Sequence, residues 1–213
     1  MQSINLVKPL AYVGGYFDQL SGLSQDIQVS CGTHGQVEFS EGIDLAAMLV
    51  RKQSRQDRKV VFIGNGGSAA VASHQAVDYW RNGNIPAICF NESALLTCIG
   101  NDFGYENVFS KPISIFTQSG DVLIAISSSG QSKNILAGVR QAIEKGCYVI
   151  TLSAFQADNP LREMGDLNFY VPTSAYGFAE IMHLCICHCI IDGLISGELP
   201  RRNQDIPIFG EQE

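Results

Sequence analysis

Five short apolar runs alternate with segments of helical periodicity through the middle and end of this 213-residue chain. Such runs are typical of strands buried on both faces, which occur in parallel sheets. Regular alternation of strand and helix favours an α/β fold with a doubly wound, mostly parallel five-stranded sheet flanked by helices. The predicted strands are 60–64, 86–90, 121–126, 148–153 and 167–171, and the predicted helices are about 67–82, 92–99, 102–117, 132–145, 159–164 and 177–196.

The segment before the first strand has a different pattern. Apolar residues at spacings near three and four predict helices at about 10–28 and 43–55, separated by a polar stretch from Ser30 to Gln36. The last residues carry prolines and charges without periodicity. We therefore expect an N-terminal helical preface (1–57), an α/β domain (58–197) and a C-terminal tail (198–213).

Charge and composition narrow the class of protein. Fourteen basic and 21 acidic residues give a net charge of −7, which argues against a nucleic-acid surface. Seven cysteines form no CxxC pair, which indicates reduced thiols in a reducing compartment. The most apolar segment, 181–195, is interrupted by His183, His188 and Asp192 and is shorter than a membrane span. No export signal follows Met1, so we expect a cytoplasmic protein without a membrane segment.

Two loops rich in glycine and serine carry the candidate chemistry. Residues 64–68 (GNGGS) and 127–132 (SSSGQS) each follow an apolar run and precede a helical segment. Ligands bind at the carboxyl ends of the strands in such sheets, where helix N-termini offer free N–H groups to phosphate. An ordinary helix cap would explain one such loop, but two together favour an anion site. The second loop is the stronger signal, because its four serines can donate hydroxyl hydrogen bonds to phosphate oxygens.

Nucleotide-binding motifs fit less well. Gly64, Gly66 and Ala69 satisfy a lone GxGxxA pattern, but the first acid near the next strand end is Glu92, well beyond the usual spacing of about 20 residues. The sequence contains no GxxxxGK[ST] phosphate loop. These observations favour a phosphorylated sugar over a dinucleotide.

Four segments resemble the phosphoheptose isomerase family of SIS-domain proteins. They are GNGGSAAVASH (64–74), IGNDFGY (99–105), GDVLIAISSSGQS (120–132) and the C-terminal helix through 183–192. The resemblance implies a flavodoxin-like SIS fold and a cytoplasmic homotetramer whose active sites lie between subunits. It also implies isomerisation of sedoheptulose 7-phosphate to a heptose 7-phosphate, a bound divalent metal such as zinc, and a preface that forms the oligomer.

The resemblance also assigns roles to individual residues. It implies acid–base catalysis by Asp78 and His188. The implied metal ligands are His74, Asp78, Glu180 and His188. The implied substrate contacts are Asn65, Gly66, Gly67, Ser68, Asn101, Asp102, Ser127, Ser128, Ser129, Ser132 and Glu180.

Four positions depart from the family pattern. Asp78 replaces a glutamate, which withdraws the carboxylate by about 1.5 Å. A misplacement of a catalytic group by about 1 Å can lower the rate on the order of 100-fold. Glu180 replaces a glutamine, although the resulting donor set still suits zinc or a harder metal such as manganese. Val71 replaces an aspartate and Gly177 an acidic residue, so the contacts to sugar hydroxyls are expected to differ.

Helix geometry adds a constraint on the metal ligands. Glu180 and His188 lie about 12 Å apart along one helix, too far to bind one ion together. Either the site is assembled across a subunit boundary, or the helix is irregular near Gly177, or only some of the four residues are ligands. His183 and His34 are expected to be structural or surface residues.

These features suit an aldose–ketose isomerase, which needs a base, an oxygen stabiliser and a phosphate anchor. One alternative is a non-catalytic SIS module that binds a sugar phosphate or a protein partner. A sister group with the same fold binds a replication initiator protein. The other is an isomerase or aldehyde-processing enzyme for a different sugar phosphate in capsule or secondary-metabolite heptose synthesis. The lost glutamate favours the binding module, whereas the retained histidines and carboxylates favour an enzyme.

Overall fold

A computed structural model describes residues 7–32 and 35–197. Its strands are β1 (Gln28–Cys31), β2 (Gly35–Val37), β3 (Val60–Gly64), β4 (Ala87–Cys89), β5 (Val122–Ser127), β6 (Tyr148–Ser153) and β7 (Leu167–Tyr170). Its α-helices are α1 (Val7–Asp26), α2 (Phe39–Ser54), α3 (Gly67–Arg81), α4 (Ser93–Phe103), α5 (Ser110–Phe116), α6 (Lys133–Glu144) and α7 (Tyr176–Ser196). Two 3₁₀ turns cover Tyr105–Asn107 and Pro160–Glu163. The predicted tail (198–213) and His34 lie outside the described residues.

In the described ranges, one sheet of seven strands has the order β2-β1-β7-β6-β5-β3-β4. The strands from β3 to β7 pair in parallel. Read from β4, their order matches the flavodoxin-like 2-1-3-4-5 arrangement, which confirms the doubly wound fold expected from the alternation. The chain changes direction across the sheet between β3 and β5, and this switch point is where such folds bind ligands.

The expected number of five strands was too small, because a hairpin of β1 and β2 adds two antiparallel strands beside β7. The hairpin occupies the stretch predicted to be a polar connection between two helices. Val29 and Cys31 alternate with more exposed neighbours and turn inward, as in a strand with one covered face. Strand β1 has only four residues, two of them polar, and so short an alternation cannot be identified as a strand from the sequence.

Two hydrophobic cores lie on the two faces of the sheet, because alternate residues of each strand point to opposite sides. Phe62 and Ile124 pack with the apolar residues of α2, α3 and α7. Ile63 and Leu123 pack on the other face with those of α4, α5 and α6. Helices α3 and α7 also contact each other, and the candidate metal ligands come from these two helices.

Two helix boundaries follow from glycine conformation. The predicted helix at 102–117 is divided, because Gly104 has a positive φ of 84° and ends α4 before the 3₁₀ turn and α5. Gly146 has a φ of 73° and follows the last residues of α6, as predicted for a residue that ends a helix.

Helix α7 has the length and mean hydropathy of a membrane span, with 21 residues and a value of 1.7. It also packs against α1, α2, α3 and β6. The core helix of an α/β domain meets the same criteria, so its apolar composition does not indicate a membrane protein.

Candidate active site at the switch point of the sheet

A pocket of about 210 Å³ opens where the loops after β3 and β5 meet. These strands are parallel neighbours, so their carboxyl ends place the two predicted loops side by side. The residues that line the pocket are Asn65, Gly66, Gly67, Ser68, Ile126, Ser127, Ser128, Ser129, Ser132, Tyr176 and Glu180. The pocket therefore gathers nine predicted substrate contacts, and adds Ile126 and Tyr176, which the sequence did not single out.

The loop at 127–132 keeps part of its hydroxyl capacity free. Ser127 Oγ accepts a hydrogen bond from the Gly130 N–H (3.2 Å), and Ser129 Oγ accepts one from the Gln131 N–H (3.2 Å). Within the described part of the chain, the buried Ser128 Oγ has no partner. Ser132 stands at the N-cap of α6 without capping it by its side chain. The loop thus presents unused hydroxyls and the first N–H groups of α6, which suits a phosphate group.

Two side-chain amides join the loops across the switch point. The Asn65 amide donates to Asn134 Oδ1 (2.9 Å), and the Asn134 amide donates back to Asn65 Oδ1 (2.8 Å). Tyr105 Oη also donates to Asn65 Oδ1 (3.3 Å). Much of the Asn65 side chain is therefore used to hold the loops together. Asn134 was not identified from the sequence. The available signal was its position in the first helical turn after the loop at 127–132, which we call the serine loop.

A separate triad combines His74 and Asp78 of α3 with His188 of α7. Asp78 Oδ2 lies 3.2 Å from His74 Nε2 and 3.8 Å from His188 Nδ1. One donor atom from each of the three residues lies within 4.8 Å of the others. Three such donor atoms from two helices could hold a metal ion. The shorter carboxylate of Asp78 reaches both histidines.

Comparisons with known proteins identify the family of this chain. A model of the SIS domain matches residues 32–154. Phosphoheptose isomerase from Campylobacter concisus is 36% identical over 160 residues, covering 72% of this chain and 84% of the relative, and the enzyme from Buchnera aphidicola is 34% identical over 157 residues, covering 71% and 81%. The chain belongs to the phosphoheptose isomerase family.

Solved structures of this family show the same fold. The phosphoheptose isomerase of Neisseria gonorrhoeae has a TM-score of 0.74 and 28% identity, and the match covers 87% of this chain and 98% of that one. The phosphoheptose isomerase of Francisella tularensis has a TM-score of 0.76 with 24% identity over 88% and 98% of the chains, and this likeness concerns the fold alone.

Glu180 lies in the pocket, away from the triad of its own chain. Its carboxylate packs against Gly67 so closely that a Cβ at that glycine would overlap it. This position is the N-terminus of α3, where a negative charge is favourable. Helix α7 is continuous from Tyr176 to Ser196, which removes helix irregularity near Gly177 as a way to bring Glu180 to the ion.

The predicted sugar contacts of α4 are placed differently. Asn101 donates from its amide to Asp102 Oδ1 (2.8 Å), and both side chains are exposed. Neither lines the pocket of this chain. Their substrate contacts remain predictions, as do the catalytic roles of Asp78 and His188, which lie outside the lining of the pocket.

His183 belongs to the core of α7. It is fully buried, and its Nε2 lies 3.2 Å from the Ser153 carbonyl oxygen. Burial lowers the pKa of His183 to about 4, against a smaller opposing effect of that hydrogen bond. The residue is neutral at physiological pH, as expected of a structural histidine.

Proposed function

We propose that this protein is an aldose–ketose isomerase that converts sedoheptulose 7-phosphate to a heptose 7-phosphate through an enediol. The observation that carries the proposal is the pocket at the switch point, lined by the free hydroxyls of the serine loop, in a chain of the phosphoheptose isomerase family. The named relatives are phosphoheptose isomerases, and this chain covers more than four fifths of their length.

The phosphate group would bind the loop at 127–132. Ser128 Oγ and Ser132 Oγ are available to donate hydrogen bonds, and α6 supplies N–H groups at its first turn. Since these contacts are remote from the reacting carbons, they would anchor the sugar equally in the substrate and in the transition state, which lowers KM and leaves kcat to the groups at carbons 1 and 2.

Acid–base catalysis would come from Asp78 and His188. In the direction from ketose to aldose, a base takes a proton from carbon 1, the enediol forms, and a proton returns to carbon 2. The hydroxyl proton on oxygen 1 must also be lost while oxygen 2 gains one. Asp78 Oδ2 and His188 Nδ1 lie 3.8 Å apart, and a carboxylate and an imidazole so placed would serve as base and proton shuttle once a bound substrate lies between them.

The triad would hold a divalent metal, in our proposal zinc. His74, Asp78 and His188 would provide three ligand atoms, which lie within 4.8 Å of one another, and Glu180 of a neighbouring subunit would provide the fourth. A bound cation would polarise the carbonyl oxygen and stabilise the enediolate charge. The position of Glu180 supports assembly across a subunit boundary, since its own chain holds it against Gly67.

A homotetramer in the cytoplasm would supply these neighbours. Helix α1 presents Tyr12 and Phe17 with 73% and 62% of their surface exposed, and Trp80 of α3 is 53% exposed near the triad residue Asp78. Large apolar side chains exposed on a lone chain mark an association surface. The position of Tyr12 and Phe17 on α1 supports the role of residues 1–57 as an oligomerisation element.

A non-catalytic SIS module is the second candidate. Asp78 in place of the family glutamate is the feature that favours it, because a base displaced by about one methylene would lose activity. Such a module would still bind a sugar phosphate through the serine loop, so binding alone does not separate the two candidates.

The deciding experiment combines turnover with metal analysis. The metal-loaded protein should isomerise sedoheptulose 7-phosphate and incorporate solvent deuterium at the reacting carbon. Asp78→Asn should lower turnover by about 100-fold or more, since acid–base groups contribute roughly 10²–10⁴. Glu144→Gln, an exposed change at the far end of α6, is the matched control and should be fully active.

Asp78→Glu restores the family residue. Faster turnover than wild type would indicate a weakened isomerase of this substrate, whereas a loss would indicate a site adapted to the shorter carboxylate and another sugar phosphate. No deuterium incorporation in wild type or Asp78→Glu would reject the enzyme and leave the binding module.

A further inference from the structure

The buried side chain of Asn159 packs against the serine loop. Asn159 is 1% exposed and lies between β6 and the 3₁₀ turn at Pro160–Glu163. Its amide donates to the Gln156 carbonyl (2.8 Å), Ser153 Oγ (3.2 Å) and the Ala154 carbonyl (3.4 Å). Its Oδ1 accepts from the Arg162 N–H (3.1 Å) and caps the 3₁₀ turn. Both ends of the amide are therefore fixed.

The Asn159 side chain packs directly against Gly130, in the turn of the serine loop. Gly130 has a positive φ of 62°, and a Cβ at this residue would overlap the carbonyl end of the Asn159 side chain. The Gly130 N–H donates to Ser127 O (3.0 Å) and to Ser127 Oγ (3.2 Å), so this turn sets the direction of Ser127. The amide thus touches the loop at the residue on which its conformation depends.

Two backbone hydrogen bonds tie the same segment to the loop. The Ala154 N–H donates to the Ser128 carbonyl (3.0 Å), and the Leu161 N–H donates to the Gly130 carbonyl (3.2 Å). Asn159 bonds to the Ala154 carbonyl and lies two residues before Leu161, so it holds both donors in register. Its own side chain lies outside the lining of the pocket, which excludes a direct contact with a ligand there.

We propose that Asn159 is a positioning residue that holds the serine loop in its phosphate-binding conformation. This inference rests on the proposed function only in taking the loop as the phosphate anchor. A loop that is ordered before binding spends less of the interaction energy on its own ordering. Loss of the amide should therefore weaken phosphate binding without altering the chemistry at the other end of the sugar.

The test variant is Asn159→Ser, which keeps a capping oxygen for the 3₁₀ turn and removes the amide that contacts Gly130. The matched control is Asn168→Ser. Asn168 is also a buried asparagine, and its amide bonds to Thr151, Gly165 and Ser30 near the start of β7, away from the serine loop. Both variants should lower stability, but only one should change phosphate affinity.

Titration calorimetry with inorganic phosphate measures the effect directly. We expect Asn159→Ser to raise the Kd by about tenfold or more, the loss of roughly one well-placed hydrogen bond to a charged group, and Asn168→Ser to change it less than about twofold. In the isomerase assay, Asn159→Ser should raise KM by a similar factor and change kcat by less than about threefold. Equal Kd values for Asn159→Ser and wild type would overturn the proposal.

A second variant tests the contact from the other side. Gly130→Ala introduces a Cβ against the intact Asn159, and should weaken phosphate binding more in the wild-type background than in Asn159→Gly, where no Asn159 side-chain atom is left to meet it. The strain of an alanine at the positive φ of Gly130 is common to both backgrounds. Additive effects in this double-mutant cycle would overturn the proposal even if Asn159→Ser failed to fold. Wild-type protein that binds phosphate but lacks isomerase activity would reject the proposed function and leave this inference standing.

Discussion

Ser128 allows the binding and structural roles of the serine loop to be separated in one substitution. Its hydroxyl is buried, and among the described residues it has no hydrogen-bond partner. A buried hydroxyl without a partner destabilises the folded protein by about 1–3 kcal/mol, so Ser128→Ala should leave stability unchanged or increase it. If the hydroxyl donates to phosphate, the same change should remove a hydrogen bond to a charged group, which is worth about 1.5–3 kcal/mol. The expected loss of affinity is therefore roughly 10- to 150-fold.

Ser127→Ala provides the contrast, because Ser127 Oγ accepts a hydrogen bond from the Gly130 N–H inside the loop. This substitution should reduce the free energy of unfolding by about 1 kcal/mol and also disturb the loop. Urea denaturation gives the stability of each variant, and calorimetry with inorganic phosphate and with sedoheptulose 7-phosphate gives the affinity. A Ser128→Ala protein that is less stable than wild type yet binds phosphate equally well would refute the assignment of this hydroxyl to the ligand.

Two further predictions concern residues outside the pocket lining. The pKa of His183 is about 4 in the folded protein and about 6.5 in the unfolded chain, so the unfolded chain binds more protons and stability should fall by about 3 kcal/mol as pH drops from about 6.5 to about 4. His183→Gln should remove this part of the pH dependence of urea unfolding, and an unchanged pH profile would contradict it. Asn134→Ala leaves the Asn65 amide without its reciprocal partner, and should lower the free energy of unfolding by about 1–3 kcal/mol in the same assay; wild-type stability would show that the amide bridge is not significant.

The sequence was sufficient for the parallel part of the sheet and for both loops. Continuous apolar runs identify strands covered on both faces, and glycine or serine after each run marks the strand end that faces the ligand. The same reasoning could not find β1 and β2, whose short alternation includes Gln28 and Ser30 and depends on pairing with β7 for its stability.

The side chains that contact the two loops from elsewhere in the chain, Asn134 and Asn159, could also not be identified from the sequence. Asn134 acts on a residue 69 positions earlier in the chain, and Asn159 acts on Gly130 across β6. Each looks like an ordinary helix-start or turn residue in the sequence, since its role arises only when the strands bring distant segments together. By contrast, the separation of Glu180 from His188 could be predicted, because the rise of a regular helix fixes it.

Helix α7 fixes the distance and the relative direction of Glu180 and His188. His188, which completes the triad, lies eight positions after Glu180, which lines the pocket. One residue inserted between them would turn His188 by about 100° and carry it out of reach of Asp78, while leaving Glu180 in place. Substitutions are tolerable in this stretch wherever packing permits, but its length is not free to vary. Natural insertions and deletions in related chains should therefore fall in the connections before and after α7 and spare the eight-residue interval.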